Sequence, residues 1–199
     1  KTMIRLTTGA EQRIADTRAV EESGITSLSL MERAARALAA AAIETASDKR
    51  AVVFCGNRNN GGDGLAAALI LLKAGFKVLV LLMSAPDKMT GDCAEMYGRY
   101  ISAGGEAVPY EAGDIRQKKA VMECGVIIDA MLGTGLKRPL SGLFSEAAEL
   151  INASATSAIA CDIASGVDSD TGAVAGVAVK ADKTVTFAAY KIGQFVEPG

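Results

Sequence analysis

Histidine is absent from this chain of 199 residues. That removes Ser-His-Asp and Cys-His arrangements, histidine metal clusters and any mechanism needing an imidazole base, so proton transfer falls to Asp, Glu, Lys, Tyr or Cys. Tryptophan is missing too, and aromatics make up 5% of the residues. The core must then be built from Ala, Val, Ile and Leu, as in sheets buried on both faces. The four cysteines, Cys55, Cys93, Cys124 and Cys161, form no CxxC pair. Cys55 and Cys161 end apolar strand-like runs, which reads as reduced core residues of a cytosolic protein. Long apolar runs are lacking: 65–72 and 78–83 are too short to span a bilayer, and the first residues lack a signal peptide's basic-then-apolar layout, so neither secretion nor a membrane is expected. Neither charge sign dominates, with 21 Lys and Arg against 23 Asp and Glu. With no basic run at either end, a nucleic-acid partner is not expected.

What is present is a folded chain: half its residues are hydrophobic, 22% are charged and 21 are Gly. At roughly 150 residues per domain, residues 1–199 read as one domain. Thr8 to Glu11 and Ser29 to Glu32 each place Glu three residues after a hydroxyl, predicting two opening helices. The first ends near Gly24, and the second packs a stripe of Leu30, Ala34, Leu38 and Ala41. From Ala51 onward strands alternate with helices. Strands are expected at 51–55, 77–83, 106–109, 126–129, 157–162 and 183–187, and helices at 62–74, 92–103, 114–123 and 141–152. That order predicts an α/β fold, a parallel sheet sandwiched by helices, with two extra helices at the N-terminus.

Three glycine-marked polar segments each follow a predicted strand: Gly56 to Gly64, Asp129 to Gly135, and Asp162 to Asp168. Ligands of open α/β sheets bind outside the carboxyl ends of the strands, so these three loops can converge on one pocket. In the first, adjacent glycines lead into a helix, where Gly61 and Gly62 can offer backbone N–H groups to a phosphate as a positive-φ nest; a plain helix cap is the other reading. No Gly-Lys-Ser/Thr follows, so it is not a Walker loop. In the second, Gly133-Thr134-Gly135 wraps a phosphate or ribose, with Lys137 and Arg138 as charge partners, or is a tight turn. Asp129 and Asp162 each end an apolar run and need partners. With Ser165 and an Asn amide they suit a hard cation rather than zinc, though both aspartates also fit turn caps. Asp168 to Gly172 lacks the ligands of a calcium loop and reads as a surface turn.

Asn59-Asn60-Gly61-Gly62-Asp63-Gly64, Asp129-Ala130-Met131-Leu132-Gly133-Thr134-Gly135 and Asp162-Ile163-Ala164-Ser165-Gly166-Val167-Asp168, in this order, resemble the signature of the NAD(P)H-hydrate epimerases, the YjeF N-terminal domain family. Leu30 to Ala34, Val185 to Phe187, Lys191 and Gly193 are similar to it as well, so the resemblance covers nearly the whole chain. It implies a Rossmann-like domain that interconverts the R and S epimers of hydrated NADH or NADPH (NAD(P)HX) at nicotinamide C6, a metabolite repair. It implies that Asn59, Asn60, Gly61, Gly62 and Asp63, together with Gly133, Thr134, Gly135, Leu136, Lys137, Arg138 and Pro139, hold the dinucleotide, and that Asp162 contacts it. It also implies a potassium ion (K+) on Asn60, Asp129 and Ser165. Epimerisation needs an acid/base group for the departing and returning oxygen. With no histidine, Asp162 takes that role, and Lys191 is the second candidate, or else a surface or phosphate-contacting residue.

Two positions depart from the family pattern. Arg58 replaces the Gly before the Asn pair and needs a backbone that tolerates a Cβ, and Ala164 replaces a Pro before Ser165. Many bacterial members carry a fused C-terminal dehydratase, and Pro198-Gly199 lies where such a junction would fall. Self-association is also among the expectations. Two rival readings stand beside the enzyme: a non-catalytic nucleotide-, RNA- or protein-binding module on the same fold, and an NAD(P)-dependent oxidoreductase, against which the missing GxGxxG argues.

Overall fold

The computed structural model describes residues 5–136 and 138–197. Lys137 and Pro198-Gly199 lie outside the described residues. A short strand β1 (Leu6–Thr7) leads into helix α1 (Gly9–Ser23). Its capping box pairs Thr8 with Glu11, and it ends at Gly24 with φ 62°, a left-handed turn that favours glycine. Helix α2 (Ser27–Thr45) is capped by Thr26, whose hydroxyl accepts the Ser29 N–H. Ser29 is thus the third helical residue and not the cap, because Thr26 already satisfies the free N–H group there. Its buried stripe is Met31, Ala35, Leu38, Ala39, Ala41 and Ala42, with Ala34 half-buried.

The repeating part comprises β2 (Arg50–Cys55), α3 (Asn59–Lys73), β3 (Lys77–Leu82), α4 (Gly91–Ser102), β4 (Glu106–Pro109), α5 (Ile115–Glu123), β5 (Val126–Ala130), α6 (Leu143–Ala153), β6 (Ala158–Cys161), β7 (Lys183–Val185) and the short β8 (Tyr190–Lys191). The main sheet runs β4-β3-β2-β5-β6-β7, and every neighbouring pair is parallel. Its central strands β2, β3, β5 and β6 are mostly Val, Ile, Leu and Ala because both faces are covered, whereas the edge strands β4 and β7 carry the exposed Glu106, Pro109, Lys183 and Thr184. Val53, Val80 and Ile128 pack under α2, α3 and α4, while Phe54, Leu81 and Ile127 pack under α5 and α6. Separately, β1 pairs in parallel with β8, with Thr7 opposite Lys191.

The strand order positions the site. The chain runs outward from β2 to β3 and β4, then returns to lay β5 on the other side of β2. The loops after β2 and β5 therefore diverge at the switch point, with the loop after β6 beside them. Helix α3 begins at Asn59, three residues earlier than the sequence suggests, so the Asn-Asn-Gly-Gly segment is its first turn. Packing outweighs the weak helix propensity of the two glycines: a β-carbon on Gly61 would run into the Gly56 carbonyl, and one on Gly62 would come within 2.5 Å of Met31 Cε. Neither glycine has positive φ, which corrects the expected nest.

Candidate functional site

The three loops are tied to one another. A β-carbon on Gly133 would lie 3.5 Å from the Asn60 side chain, so the second loop rests on the first turn of α3. The Cys161 thiol, at the end of β6, lies 4.0 Å from the Asn60 carbonyl oxygen. Ser165 donates its hydroxyl to Asp129 Oδ1 at 2.7 Å and its N–H to Oδ2 at 2.8 Å, and its hydroxyl accepts the Leu132 N–H at 3.0 Å. Asp129 and Ser165 are thereby joined directly, and the Asn60 side chain lies against Gly133 of the loop that follows Asp129.

At the first loop, Arg58 takes the N-cap position with φ −121°, an extended conformation that tolerates its side chain, so its departure from the family pattern leaves the backbone unstrained. The Gly62 N–H bonds the Arg58 carbonyl at 2.9 Å within the helix. Among the described residues, the N–H groups of this turn left free for an anion are those of Asn59, Asn60 and Gly61, and the Gly62 N–H, expected to face a phosphate, is used within the helix. In the second loop Thr134 and Leu136 are half-buried, with Leu136 packed on the α5–α6 side of the core, while Gly135, Arg138 and Pro139 are exposed.

Asp162 stands one residue past β6 with φ 68°, a conformation rare for a residue with a side chain. Its backbone is fixed there: its N–H bonds Val185 O at 2.8 Å, and its carbonyl accepts Gln194 Nε2 at 2.8 Å. Such strain persists where the surroundings over-determine it, and it gathers at functional sites. Its Oδ1 pairs with the Lys191 ammonium and accepts the Phe187 N–H at 3.2 Å. Among the described residues no hydrogen bond engages Oδ2.

Lys191 is wholly buried. Besides Asp162 it donates to Thr186 Oγ1 at 2.8 Å and Phe187 O at 3.1 Å, so all three of its N–H groups are used. The surface and phosphate-contacting readings of Lys191 are corrected by this burial. Its ammonium is enclosed by these three acceptors, a geometry that positions Asp162. Of the residues that complete the support, Thr186 and Phe187 lie in the closing segment similar to the family, whereas Gln194 carries no motif.

Two more carboxylates feel this pair. The Asp63 carboxyl is held well above its ordinary value by burial and by the charges of Asp162 and Asp16. Asp16, on α1, is raised by burial and by Asp162, while a hydrogen bond from Gln12 and the charge of Lys191 pull the other way. Asp16 and Gln12 went unnoticed in the sequence; the signal available was their i, i+4 spacing on α1.

Asp129 is fully buried, its bonds come from neutral donors, and burial pushes its carboxyl up to about 6. Asn60 Nδ2 is buried with no partner among the described residues. Rotating that isosteric amide by 180° puts an oxygen in its place. A buried carboxylate lacking a counter-charge, a hydroxyl and an amide form a hard-oxygen set that fits a monovalent cation. Among the described residues, no group of three or more Cys, Asp or Glu side chains gathers as a metal site.

Asp168 to Gly172 forms the expected turn, with Asp168 Oδ1 accepting the N–H groups of Asp170 and Thr171, both at 2.9 Å. It is more than a surface turn, because Ser169 is buried and Asp170 Oδ1 accepts the Gly9 N–H at 2.7 Å, holding the start of α1. The four cysteines are free and buried, and burial raises their thiols. Among the described residues no helix is long and apolar enough to cross a membrane.

A parallel open sheet with three loops joined at its switch point defines an α/β protein of Rossmann-like architecture. The comparisons make this particular: residues 27–193 match the family described as YjeF-related protein N-terminus, and the chain belongs to it. It is 42% identical over 195 residues to the bifunctional NAD(P)H-hydrate repair enzyme Nnr of Thermofilum pendens, covering 96% of this chain and 37% of that protein. It is 38% identical to the NAD(P)H-hydrate epimerase of Rhodopirellula baltica, over 91% of this chain and 73% of that one. To the NAD(P)H-hydrate epimerase of Limosilactobacillus fermentum it is 36% identical, over 96% and 89%. The crystal structure of yeast ynu0 superposes with a TM-score of 0.79 at 20% identity, over 96% of this chain and 84% of that one, which establishes the fold.

Proposed function

We propose that this protein interconverts the R and S epimers of hydrated NADH or NADPH at nicotinamide C6. The observation that carries the reading is Asp162, at the head of the third loop, whose strained backbone is held by Val185 and Gln194 and whose carboxylate is held by a buried Lys191. Curated relatives named NAD(P)H-hydrate epimerase, matched over most of their length, support the same activity. The free N–H groups of Asn59, Asn60 and Gly61 and the loop from Gly133 to Pro139 hold the dinucleotide, with its phosphates at the positive end of α3. Where the relatives are bifunctional they contain further chain beyond the matched part, and a dehydratase joined to this domain belongs to the proposal.

The chemistry follows from the two carboxyls. The lone pair of the ring nitrogen expels the C6 hydroxyl, which leaves as water once protonated, and the ring becomes a conjugated iminium cation. Asp63, which burial and its neighbours favour in the protonated form, supplies that proton. Water then adds to the opposite face, and Asp162 takes its proton through the unengaged Oδ2. The reverse reaction exchanges the two roles, and proton transfer between the carboxyls resets the site. Lys191 orients Asp162 throughout. A potassium ion on Asn60, Asp129 and Ser165 would supply the counter-charge of the buried carboxylate and fix the second and third loops.

The test is to mix purified protein with the separated epimers and follow their interconversion by chromatography. Equilibration at the spontaneous rate would remove the proposal.

A further inference from the structure

Helix α1 has little apolar reason to lie where it does. Of its residues with described side chains, Gly9 and Gln12 are the buried ones, and Ile14 is exposed. It is tethered instead by specific contacts: the Gly9 N–H on Asp170, the pairing of Thr7 with Lys191 across β1 and β8, and Gly9 seated against Thr134 O and Ser169 Oγ. These dock α1 on the second loop and on the strand that bears Lys191. Gln12 is only 6% exposed, and its Nε2 donates to Asp16 Oδ1 at 3.2 Å. Its carbonyl oxygen, Oε1, is buried with no donor among the described residues.

An unpaired buried acceptor is costly and rare, and it calls for a donor that arrives from outside the chain. We propose that Gln12 is a substrate-binding residue whose Oε1 accepts an N–H of the nicotinamide carboxamide, and that Asp16 is the positioning residue that holds the Gln12 amide in that orientation. The assignment deepens the reading of the site as an NAD(P)H-hydrate epimerase and rests on it. The carboxamide is borne on the ring carbon across from C6, so its partner belongs to a wall other than the one carrying Asp162. Helix α1 approaches Asp162 through β1, whose Thr7 pairs with Lys191, the residue bound to Asp162. The raised Asp16 carboxyl, which burial and then the charge of Asp162 push up, agrees with that approach. A neutral acceptor also suits the ligand better than a charged one, because the carboxamide is itself neutral.

The test uses NADH and its reduced 3-acetylpyridine analogue, in which a methyl group replaces the carboxamide NH2, titrated calorimetrically into the full chain. Wild type should bind NADH about ten-fold more tightly than the analogue, and Gln12→Leu should bind both at the weaker level. Asp16→Leu, which releases the amide, should shrink the ratio while leaving affinity for the analogue unchanged. If leucine does not pack, Gln12→Met provides the same comparison. A Gln12 variant that melts at or above the wild-type temperature and keeps the ten-fold ratio overturns the proposal, since that is the behaviour of a structural glutamine. A wild type that does not discriminate overturns it as well. Wild type that fails to interconvert the epimers but discriminates between the two probes would refute the reaction and leave the assignment of Gln12 standing.

Discussion

Replacing Asp162 with Asn keeps the shape of the side chain and removes the charge opposite Lys191. The ammonium is wholly buried, and its other two bonds go to neutral acceptors, Thr186 Oγ1 and Phe187 O. Breaking a buried pair by removing one partner costs about 3–5 kcal/mol. The Asp162 side chain is 15% exposed, so water relieves part of this and the lower figure, about 3 kcal/mol, is expected. In a chain of this size 1 kcal/mol moves the melting temperature by about 2–4 °C, so Asp162→Asn should melt about 6–12 °C below wild type. Lys191→Met fills the same buried space with an apolar stem and leaves the carboxylate on the side that water reaches, so its loss should be smaller, about 2 kcal/mol. In the double variant no charge is stranded, and it should melt above Asp162→Asn. Interconversion should fall about 10²–10⁴-fold in every variant lacking Asp162. Melting followed by circular dichroism and epimer chromatography on the same samples measure both effects. Asp162→Asn melting within about 2 °C of wild type, or a double variant melting below it, would refute the reasoning from the buried ammonium.

The glycines of α3 divide by what they face. Gly61→Ala meets the Gly56 backbone and should cost about 2–3 kcal/mol, whereas Gly62→Ala meets the movable tip of Met31 and should cost less; equal melting temperatures would refute this. Asp129 titrates at about 6 in the fold against 3.8 as its ordinary value, so it binds its proton more tightly folded than unfolded. Without a cation its contribution is therefore full below about pH 4 and lost as pH rises to about 6, by about 3 kcal/mol in all. Potassium should raise the melting temperature at pH 7 and much less at pH 4.5, and an equal gain at both pH values, or the same gain with choline, would contradict the proposed site. Cys93, buried and raised to about 11, has about one thiolate in a thousand at pH 8. Thiol reagents should modify the native protein slowly and the denatured protein at once; rapid modification of the folded chain would count against this.

The strands of the sheet were legible in the sequence within a residue or two, because a central strand covered on both faces needs a largely apolar run wherever it lies, and the edge strands β4 and β7 are short β-rich runs between helices. The α/β order and the three polar loops at strand ends followed from the same local pattern. Tertiary contacts decided what local pattern cannot encode. The first turn of α3 begins at Asn59, where pattern reading started it at Gly62, because the two glycines fit closely under Gly56 and Met31, which outweighs their poor helix propensity. Thr26 caps α2 in place of Ser29, since which hydroxyl meets the free N–H groups depends on where the chain enters the helix. Lys191 looked as much like a surface lysine as a functional one. Its burial depends on Asp162, 29 residues away, and on the turn that brings β8 back beside it, and a charge can be buried only where the fold delivers its partner. Gln12 and Asp16 lie in a helix with almost no apolar face, so periodicity could say nothing about which side of α1 matters; the pairing of β1 with β8 settles it. Local chemistry determined which loops could hold a ligand, and only packing at long range determined which charged side chains stand among them, because the cost of desolvating a charge is set by everything around it.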